Sequence, residues 1–229
     1  MNEHVLSAIA AVLFAVATAL VLLPLARRIP ALLELRWQRE VEEHIAHQRD
    51  GKSHIELPGY PPYAIVAIGA VLGFVSLTAY GLNAEGAAAC VFFFSLLLLL
   101  AINVKHALIP DMVVLPAMWA ALLFHSFAGH AAEHLYGAVA GYAAPFLLML
   151  AMKRGTRAEV IGRGDMKALA MAGAWFGLAA LPILLGAFLV SAVAYAILAN
   201  LIRRGSGVVP TGPAHLAASL VFLLYARVF

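Results

Sequence analysis

Hydrophobic residues fall in long runs along this chain, and polar residues collect in short segments between the runs. Runs of this kind predict helices that cross a membrane. Several are shorter than the roughly 20 residues that a perpendicular helix needs, so these helices are expected to lean on neighbours or to thin the bilayer. Pro182 is expected to break the long run near the C-terminal end into two helices. We predict about eight helices, with soft boundaries, over residues 5–26, 63–80, 87–103, 108–128, 135–152, 168–181, 182–201 and 214–228.

The composition supports the same class of protein. Of the 229 residues 64% are hydrophobic and 12% are charged, whereas soluble domains carry about 25% charged residues. We therefore expect an all-α, polytopic membrane protein that forms a single membrane domain over residues 1–229. Small-residue stretches such as GAVAGYAA and AMAGAWFG are interpreted as places where helices pack closely.

The basic residues predict the orientation of the helices. Of the 15 Lys and Arg residues, all but Arg227 fall in alternate loops on one side of the predicted bundle. The positive-inside rule places those loops in the cytoplasm and both termini on the other side. The net charge of +3 then reflects topology, and the expected partner of these charges is the lipid bilayer rather than nucleic acid.

Residues 27–62 form the one sizeable polar segment, which we interpret as a cytoplasmic loop between the first and second helices. It is too small to have a hydrophobic core of its own. His44 and His47 are spaced by about one helical turn and His54 follows, but no rigid fourth ligand is evident, so zinc is not expected. The single cysteine, Cys90, lies in an apolar run and excludes a disulfide framework.

Two of the three aspartates lie where predicted helices begin on the cytoplasmic side. Ionisable groups at such a depth are costly, so Asp111 and Asp165 are candidates for function, whereas Asp50 belongs to the polar loop. Asp111 follows Pro110 and is also interpreted as a helix cap.

The residues around Asp165 favour function over capping. Gly162 and Gly164 leave room for another backbone to approach, and glycine tolerates the unusual dihedrals of a strained helix start. Two interpretations of Lys167 are open: it is an ion-pair partner of Asp165, or it is one more basic residue of the cytoplasmic side.

The stretch GRGDMKALAMAGAWFG resembles the GxGD signature of the type IV prepilin peptidases. These are intramembrane aspartic proteases of the bacterial inner membrane that cut the leader from type IV pilins and type II secretion pseudopilins on the cytoplasmic side. The stretches NVKHALIPDMVVLPAMWAALLFH, PTGPAHLAASL and RRIPALLELRWQRE are also similar to segments of that family. The resemblance implies a multi-pass protein with prepilin or pseudopilin substrates. It makes Asp165 one of two catalytic aspartates, and Asp111 a supporting residue.

The resemblance also exposes a departure at the other catalytic position. The family's first aspartate should lie eight residues before Asp111, where this chain has Asn103. An amide cannot accept a proton as a carboxylate does, so the chain as written is expected to be a poor protease or none. Whether Asn103 is natural or an introduced, nearly isosteric change is left open. A dyad of Asp111 with Asp165 is the less favoured alternative.

Two further motifs of many bacterial members are missing, so the chain resembles a divergent member that lacks the cysteine loop. The first helix has no glycine, serine and asparagine motif, and the polar loop has no paired cysteines. Proteolysis by this family needs no cofactor. S-adenosylmethionine is expected only if the methyltransferase activity of the bifunctional members is retained.

Three functions remain open. The first is a prepilin leader peptidase with its first aspartate replaced, and the second is a silent homologue that still binds prepilins or assembly components. The third is a small ion-coupled transporter centred on Asp165, which the scarcity of other buried acids disfavours. His125, His130 and His134 fall at the opposite membrane face and are not expected to partner Asp165.

Overall fold

The computed structural model describes residues 3–44, 61–152, 161–203 and 210–228, and within these ranges the chain is helical with no strand. The all-α prediction is therefore confirmed for the described residues. The helices are α1 (Glu3–Ala17), α2 (Leu23–His44), α3 (Pro62–Tyr80), α4 (Ala84–His106), α5 (Asp111–Phe127), α6 (Ala131–Met152), α7 (Arg163–Phe176), α8 (Leu181–Arg203) and α9 (Gly212–Val228). A π-helical turn, Thr18–Leu22, joins α1 to α2, and a 3-10 turn, Leu178–Ala180, precedes α8.

Five helices in the described part of the chain are long and apolar enough to cross a membrane. They cover Val12–Leu35, Tyr63–Tyr80, Ala84–His106, Ala131–Ala151 and Leu178–Leu198. The remaining three predicted spans correspond to α5, α7 and α9, which have 17, 14 and 17 residues. The count of eight spans and the side on which the termini lie stay predictions.

Helix α1, the π-helical turn and α2 follow one another without a break and extend further than the predicted span of 5–26. Helix α2 continues through Arg27 and Arg28 to His44, so the beginning of the predicted cytoplasmic loop is helical. Residues 45–60, including His47 and His54, lie outside the described residues. The interpretation of the loop and the expectation about zinc therefore stay predictions.

Helices α4 and α7 lie at the centre of the bundle. Helix α4 packs against α3, α5 and α9, and α7 packs against α5 and α6. The second half of α4, from Leu96 to Asn103, is buried without interruption. Ten of the 14 residues of α7 are buried as well. A helix this short can belong to a membrane bundle because it contacts other helices instead of lipid.

Glycines bring α6 and α7 into backbone contact. A Cβ atom on Gly137 would overlap the carbonyl oxygen of Gly173, and a Cβ on Gly173 would overlap that of Gly137. Close approach of this kind is what small residues provide between membrane helices. The interpretation of the two small-residue stretches as packing surfaces is confirmed.

The break after α7 lies earlier than predicted. The helix ends at Gly177, which has a φ of +81°, a conformation that glycine adopts at little cost. Pro182 is instead the second residue of α8, where the missing N–H has no intrahelical acceptor to lose. The prediction that Pro182 forms the break was wrong by one short turn.

Candidate functional site

Asp165 lies in the first turn of α7 and is 5% exposed. One of its oxygens, Oδ2, accepts a hydrogen bond from the backbone N–H of Gly162 at 3.0 Å. Gly162 is the residue before the helix, so this bond satisfies one of the donors that a helix start leaves unpaired. The positive end of the helix dipole also favours a carboxylate at this position.

The other oxygen of Asp165 faces the start of α9. Oδ1 accepts hydrogen bonds from the Thr211 hydroxyl at 2.6 Å and from His215 Nε2 at 3.0 Å. His215 is 5% exposed, and its ring stacks on Phe188 of α8 with 4.4 Å between ring centroids. Three donors therefore meet this carboxylate, and they match the acceptor sites of its ionised form.

Asn103 lies in the last turn of α4 and is 2% exposed. Its Oδ1 accepts a hydrogen bond from the backbone N–H of Gly212 at 2.6 Å, and its Nδ2 donates to the carbonyl of Leu108 at 3.4 Å. The chain can return to this amide because Ala107 ends α4 in the left-handed conformation, with a φ of +53°.

The two residues singled out from the sequence meet the same short segment. Asp165 binds Thr211, and Asn103 binds the next residue, Gly212. A Cβ atom on Gly212 would lie 3.1 Å from Asn103 Oδ1 and 3.2 Å from Leu100 Cα, so a larger residue there would have to push α9 and α4 slightly apart. The structure thus brings Asn103 and Asp165 to one site, where α4 ends and α7 and α9 begin.

Asp111 and Lys167 form an ion pair beside this site. Both carboxylate oxygens of Asp111 lie 2.7 Å from Lys167 Nζ, and the Asp111 side chain is 52% exposed. Lys167 does not pair with Asp165, since residues two apart on a helix point in different directions. The capping interpretation of Asp111 was wrong: Pro110 holds the cap position, and no side chain caps the helix.

The alternative dyad gains no support from the structure. The carboxylate of Asp111 faces Lys167, whereas that of Asp165 faces α9, and the described residues show no hydrogen bond between the two.

The glycines around Asp165 matter because they lack a Cβ atom, and not because they adopt unusual dihedrals. Gly162 has φ −73° and ψ 155°, which any residue adopts, so the expectation of a strained helix start was wrong. A Cβ on Gly162 would lie 3.1 Å from Asp165 Oδ2. A Cβ on Gly164 would lie 2.9 Å from Ile109 Cβ, so a neighbour does approach closely there, but it is a side chain and not the backbone that was expected.

Sequence reasoning missed Thr211, Gly212 and His215. The stretch PTGPAHLAASL is similar to the family as a whole, and this similarity alone assigns no role to any single residue in it. The spacing of Thr211 and His215 was an available signal, because residues four apart share one face of a helix. A histidine in an apolar helix also needs a hydrogen-bond partner.

His125 and His134 lie at the other end of α7, as expected. Their rings stack in parallel with 3.3 Å between centroids. They bond to the carbonyls of Trp175, at 3.1 Å, and Ala174, at 2.9 Å. Since α7 rises about 1.5 Å per residue, these contacts lie about 14 Å from Asp165 along the helix. A cavity of about 460 Å³ opens beside them.

The part of the chain that the structure describes contains no cluster of three or more histidine, cysteine, aspartate or glutamate side chains suited to a metal ion. Asp165 and His215 are two potential ligands, and the described ranges supply no third. The arrangement can hold and transfer a proton, and it can orient a water molecule on the free lone pair of the Asp165 carboxylate.

Comparison with known proteins finds matches among leader peptidases. The profile of the Type IV leader peptidase family matches residues 90–200. A "Prepilin leader peptidase/N-methyltransferase" of Stutzerimonas stutzeri is 35% identical over 168 residues, which cover 72% of this chain and 58% of the relative. The protein of the same name from Pseudomonas aeruginosa is 33% identical over the same shares. That from Escherichia coli K12 is 36% identical over 49% of this chain and 51% of its own length.

The chain thus spans somewhat more than half the length of these curated relatives. No solved structure is a significant match. The matched residues 90–200 include Asn103 and Asp165, whereas Thr211 and His215 lie beyond them.

Proposed function

Because the chain belongs to the type IV leader peptidase family, we propose that it is a membrane aspartic endopeptidase for the leader of prepilin-like proteins. The observation that carries the proposal is the buried Asp165 at the start of α7, joined to position 103 through Thr211 and Gly212. A two-carboxylate mechanism requires these two positions to lie close together, and their hydrogen bonds to consecutive residues support that. Asn103 leaves one of the two acids missing, so hydrolysis by that mechanism is impaired in this chain.

The hydrogen bonds of Asn103 indicate what an aspartate would do in its place. One oxygen would accept the N–H of Gly212, as Oδ1 does now. The other carboxyl oxygen would face the carbonyl oxygen of Leu108. Both atoms are acceptors, so they can form a hydrogen bond only if the carboxyl oxygen carries a proton. An Asp at position 103 is therefore set up as the protonated acid of the pair, with ionised Asp165 as the base that activates water.

The proposal includes the setting of the site. The protein is multi-pass in the bacterial inner membrane, with eight spans, both termini outside the cytoplasm, and the basic end of the bundle inside. Asp165, Asp111 and Lys167 belong to that basic end, where water and the leader of a prepilin or pseudopilin would arrive. Proteolysis is proposed without a cofactor, and S-adenosylmethionine would be bound only if methylation is retained.

The test is cleavage of a type IV prepilin, reconstituted with the full chain in phosphatidylethanolamine and phosphatidylglycerol vesicles. Asn103→Asp is expected to increase the rate of leader removal by about 10²-fold or more, the usual contribution of a positioned acid. Asp165→Asn added to Asn103→Asp is expected to abolish this gain, and Asp111→Asn added to Asn103→Asp is expected to retain most of it. The proposal fails if the folded Asn103→Asp protein leaves the prepilin intact.

The amide of Asn103 also favours a second function, that of a silent homologue which binds prepilins without cutting them. Asn103 preserves both hydrogen bonds that fix the site, so a silent homologue could still hold a prepilin helix. Retained binding of the prepilin, measured by crosslinking, with no cleavage by either chain would favour this function. Ion flux through the same vesicles that depends on Asp165 would favour the transporter.

A further inference from the structure

Among the residues that the structure describes, His215 is the titratable side chain that contacts Asp165. The polar or charged side chains buried in the described residues are Thr18, Ser76, Asn103, His134, Asp165, His215 and Ser219. Among these, His134 lies at the far end of α7, so His215 is the buried ionisable group that reaches the Asp165 carboxylate.

The surroundings of His215 hold its ring in one place. Phe188 stacks on the ring, and Nε2 lies 3.0 Å from Asp165 Oδ1. Because Oδ1 also receives the Thr211 hydroxyl, its acceptor sites are occupied. Oδ2 has one donor, the Gly162 N–H, and keeps a lone pair for a water molecule.

We propose that His215 and Thr211 are positioning residues that let Asp165 act alone as base and then as acid, so that this chain retains slow peptidase activity despite Asn103. The inference rests on the proposed function and adds two residues that lie beyond the matched family segment. Their donors fix the carboxylate plane and leave Oδ2 as its one reactive oxygen.

The proposed steps use groups of the site and one water molecule. The water oxygen bonds to the scissile carbonyl carbon while one water proton passes to Asp165 Oδ2, and the electron pair of the C=O bond moves to the carbonyl oxygen. The C–N bond then breaks, the proton on Oδ2 passes to the leaving nitrogen, and the electron pair returns to re-form C=O. Asp165 ends as it began, as a carboxylate with hydrogen bonds from His215 and Thr211.

This route is slower than one with two carboxylates. No acid at position 103 supplies a proton to the carbonyl oxygen, so that oxygen carries its full charge in the intermediate. Asn103→Asp would supply the acid and would make the reaction depend less on the fixed orientation of Asp165.

The experiment measures kcat and KM for prepilin cleavage in the same vesicles for His215→Leu, His215→Gln and Thr211→Val. His215→Leu is expected to lower kcat roughly 10- to 100-fold with KM nearly unchanged, as for a lost hydrogen bond to a charged group. His215→Gln keeps an N–H donor of similar reach and is expected to recover much of kcat. Thr211→Val preserves shape and is expected to lower kcat by roughly tenfold.

Ser219→Ala is the matched control, because Ser219 lies on the same buried face of α9 and bonds only to backbone. It is expected to leave kcat unchanged. Each variant is also made with Asn103→Asp, where the loss caused by His215→Leu should be smaller.

Failure of this inference is distinct from failure of the proposed function. If Asn103→Asp cleaves prepilin but the chain with Asn103 does not, or cleaves it equally well with His215→Leu, the role of His215 is wrong and the proposed function stands. If no folded variant cleaves, both are wrong. Should His215→Leu fail to fold, equal kcat values for Thr211→Val and the parent chain would overturn the inference.

Discussion

Asn103 and Asp165 have side chains of nearly the same shape, but they form different kinds of hydrogen bonds. The amide accepts from Gly212 and donates to Leu108, so it satisfies the neighbouring backbone on both sides. The carboxylate accepts three hydrogen bonds and has none to donate. Position 103 therefore holds a side chain that both donates and accepts, whereas position 165 holds a carboxylate that only accepts, so a test of activity has to change each residue separately.

At the same scale, Gly164 fixes the distance between α7 and the turn before α5. We predict that Gly164→Ala lowers the free energy of unfolding by about 1–3 kcal/mol, because its Cβ would lie 2.9 Å from Ile109 Cβ and one of the two must move. The measurement is the shift in the midpoint of thermal unfolding in detergent.

Gly186→Ala is the matched control for Gly164→Ala. Gly186 is also inside a helix, α8, and a Cβ there has nothing within 4 Å. Alanine should leave the midpoint unchanged or raise it, since alanine favours helix more than glycine does. Equal shifts for the two variants would contradict the packing argument.

Helix α7 is the element on which the site depends, and it is held at both ends. At its start, Asp165 contacts both the residue before the helix and the beginning of α9. At its end, His134 and His125 bond to the carbonyls of Ala174 and Trp175, which belong to the last turn and lack intrahelical donors. Between the ends, Gly173 lies against Gly137 of α6. A short helix is fixed in this way without a lipid-facing side.

We predict that His134→Phe lowers the free energy of unfolding by about 1–3 kcal/mol. Phenylalanine keeps a ring to stack on His125 but removes the donor to Ala174, and an unpaired buried carbonyl costs about that amount. Unfolding in denaturant measures the change. His130→Phe, at an exposed position in the neighbouring turn, is the control and should change stability little. An equal loss in both would show that the bond to Ala174 is unimportant.

At the scale of the whole molecule, the outer surface carries many large apolar side chains. Large side chains such as Leu13, Leu20, Val190 and Tyr63 are 64%, 71%, 71% and 76% exposed. In water such a surface would drive aggregation, whereas in a bilayer it is the lipid contact. The polar site lies at one end of the bundle, with the exposed Asp111 and Lys167 at its rim.

We predict that this end faces the cytoplasm. Cys90 is the only cysteine, so Cys90→Ser gives a background free of thiols. A cysteine at Lys105 should react with a membrane-impermeant maleimide only after intact cells are permeabilised, and one at His130 should react before. Both positions are exposed. The reverse pattern of labelling would overturn the orientation derived from the basic residues.

The sequence by itself determined the class of fold, the helical segments to within a few residues at most boundaries, and two positions, 103 and 165, that the structure brings to one site. These follow from local properties: apolar runs specify helices in lipid, and the GxGD stretch carries its own signature. The eight-residue spacing between Asn103 and Asp111 is local as well, and through the family resemblance it predicts that Asn103 lies where the family has its first aspartate. Errors came where a local pattern allowed two outcomes, as for Asp111 and for the break at Pro182.

Only the tertiary structure decided which groups surround Asp165. His215 is 50 residues away along the chain and Thr211 is 46, and no local pattern links residues so far apart. Their contact depends on how α9 packs against α4 and α7, and on the glycine at position 212 that allows α9 to begin there. The pairing of Lys167 with Asp111 likewise depends on the direction of each side chain in the packed bundle. The local sequence predicted Asp165 as a site residue, and packing decided that His215 contacts it.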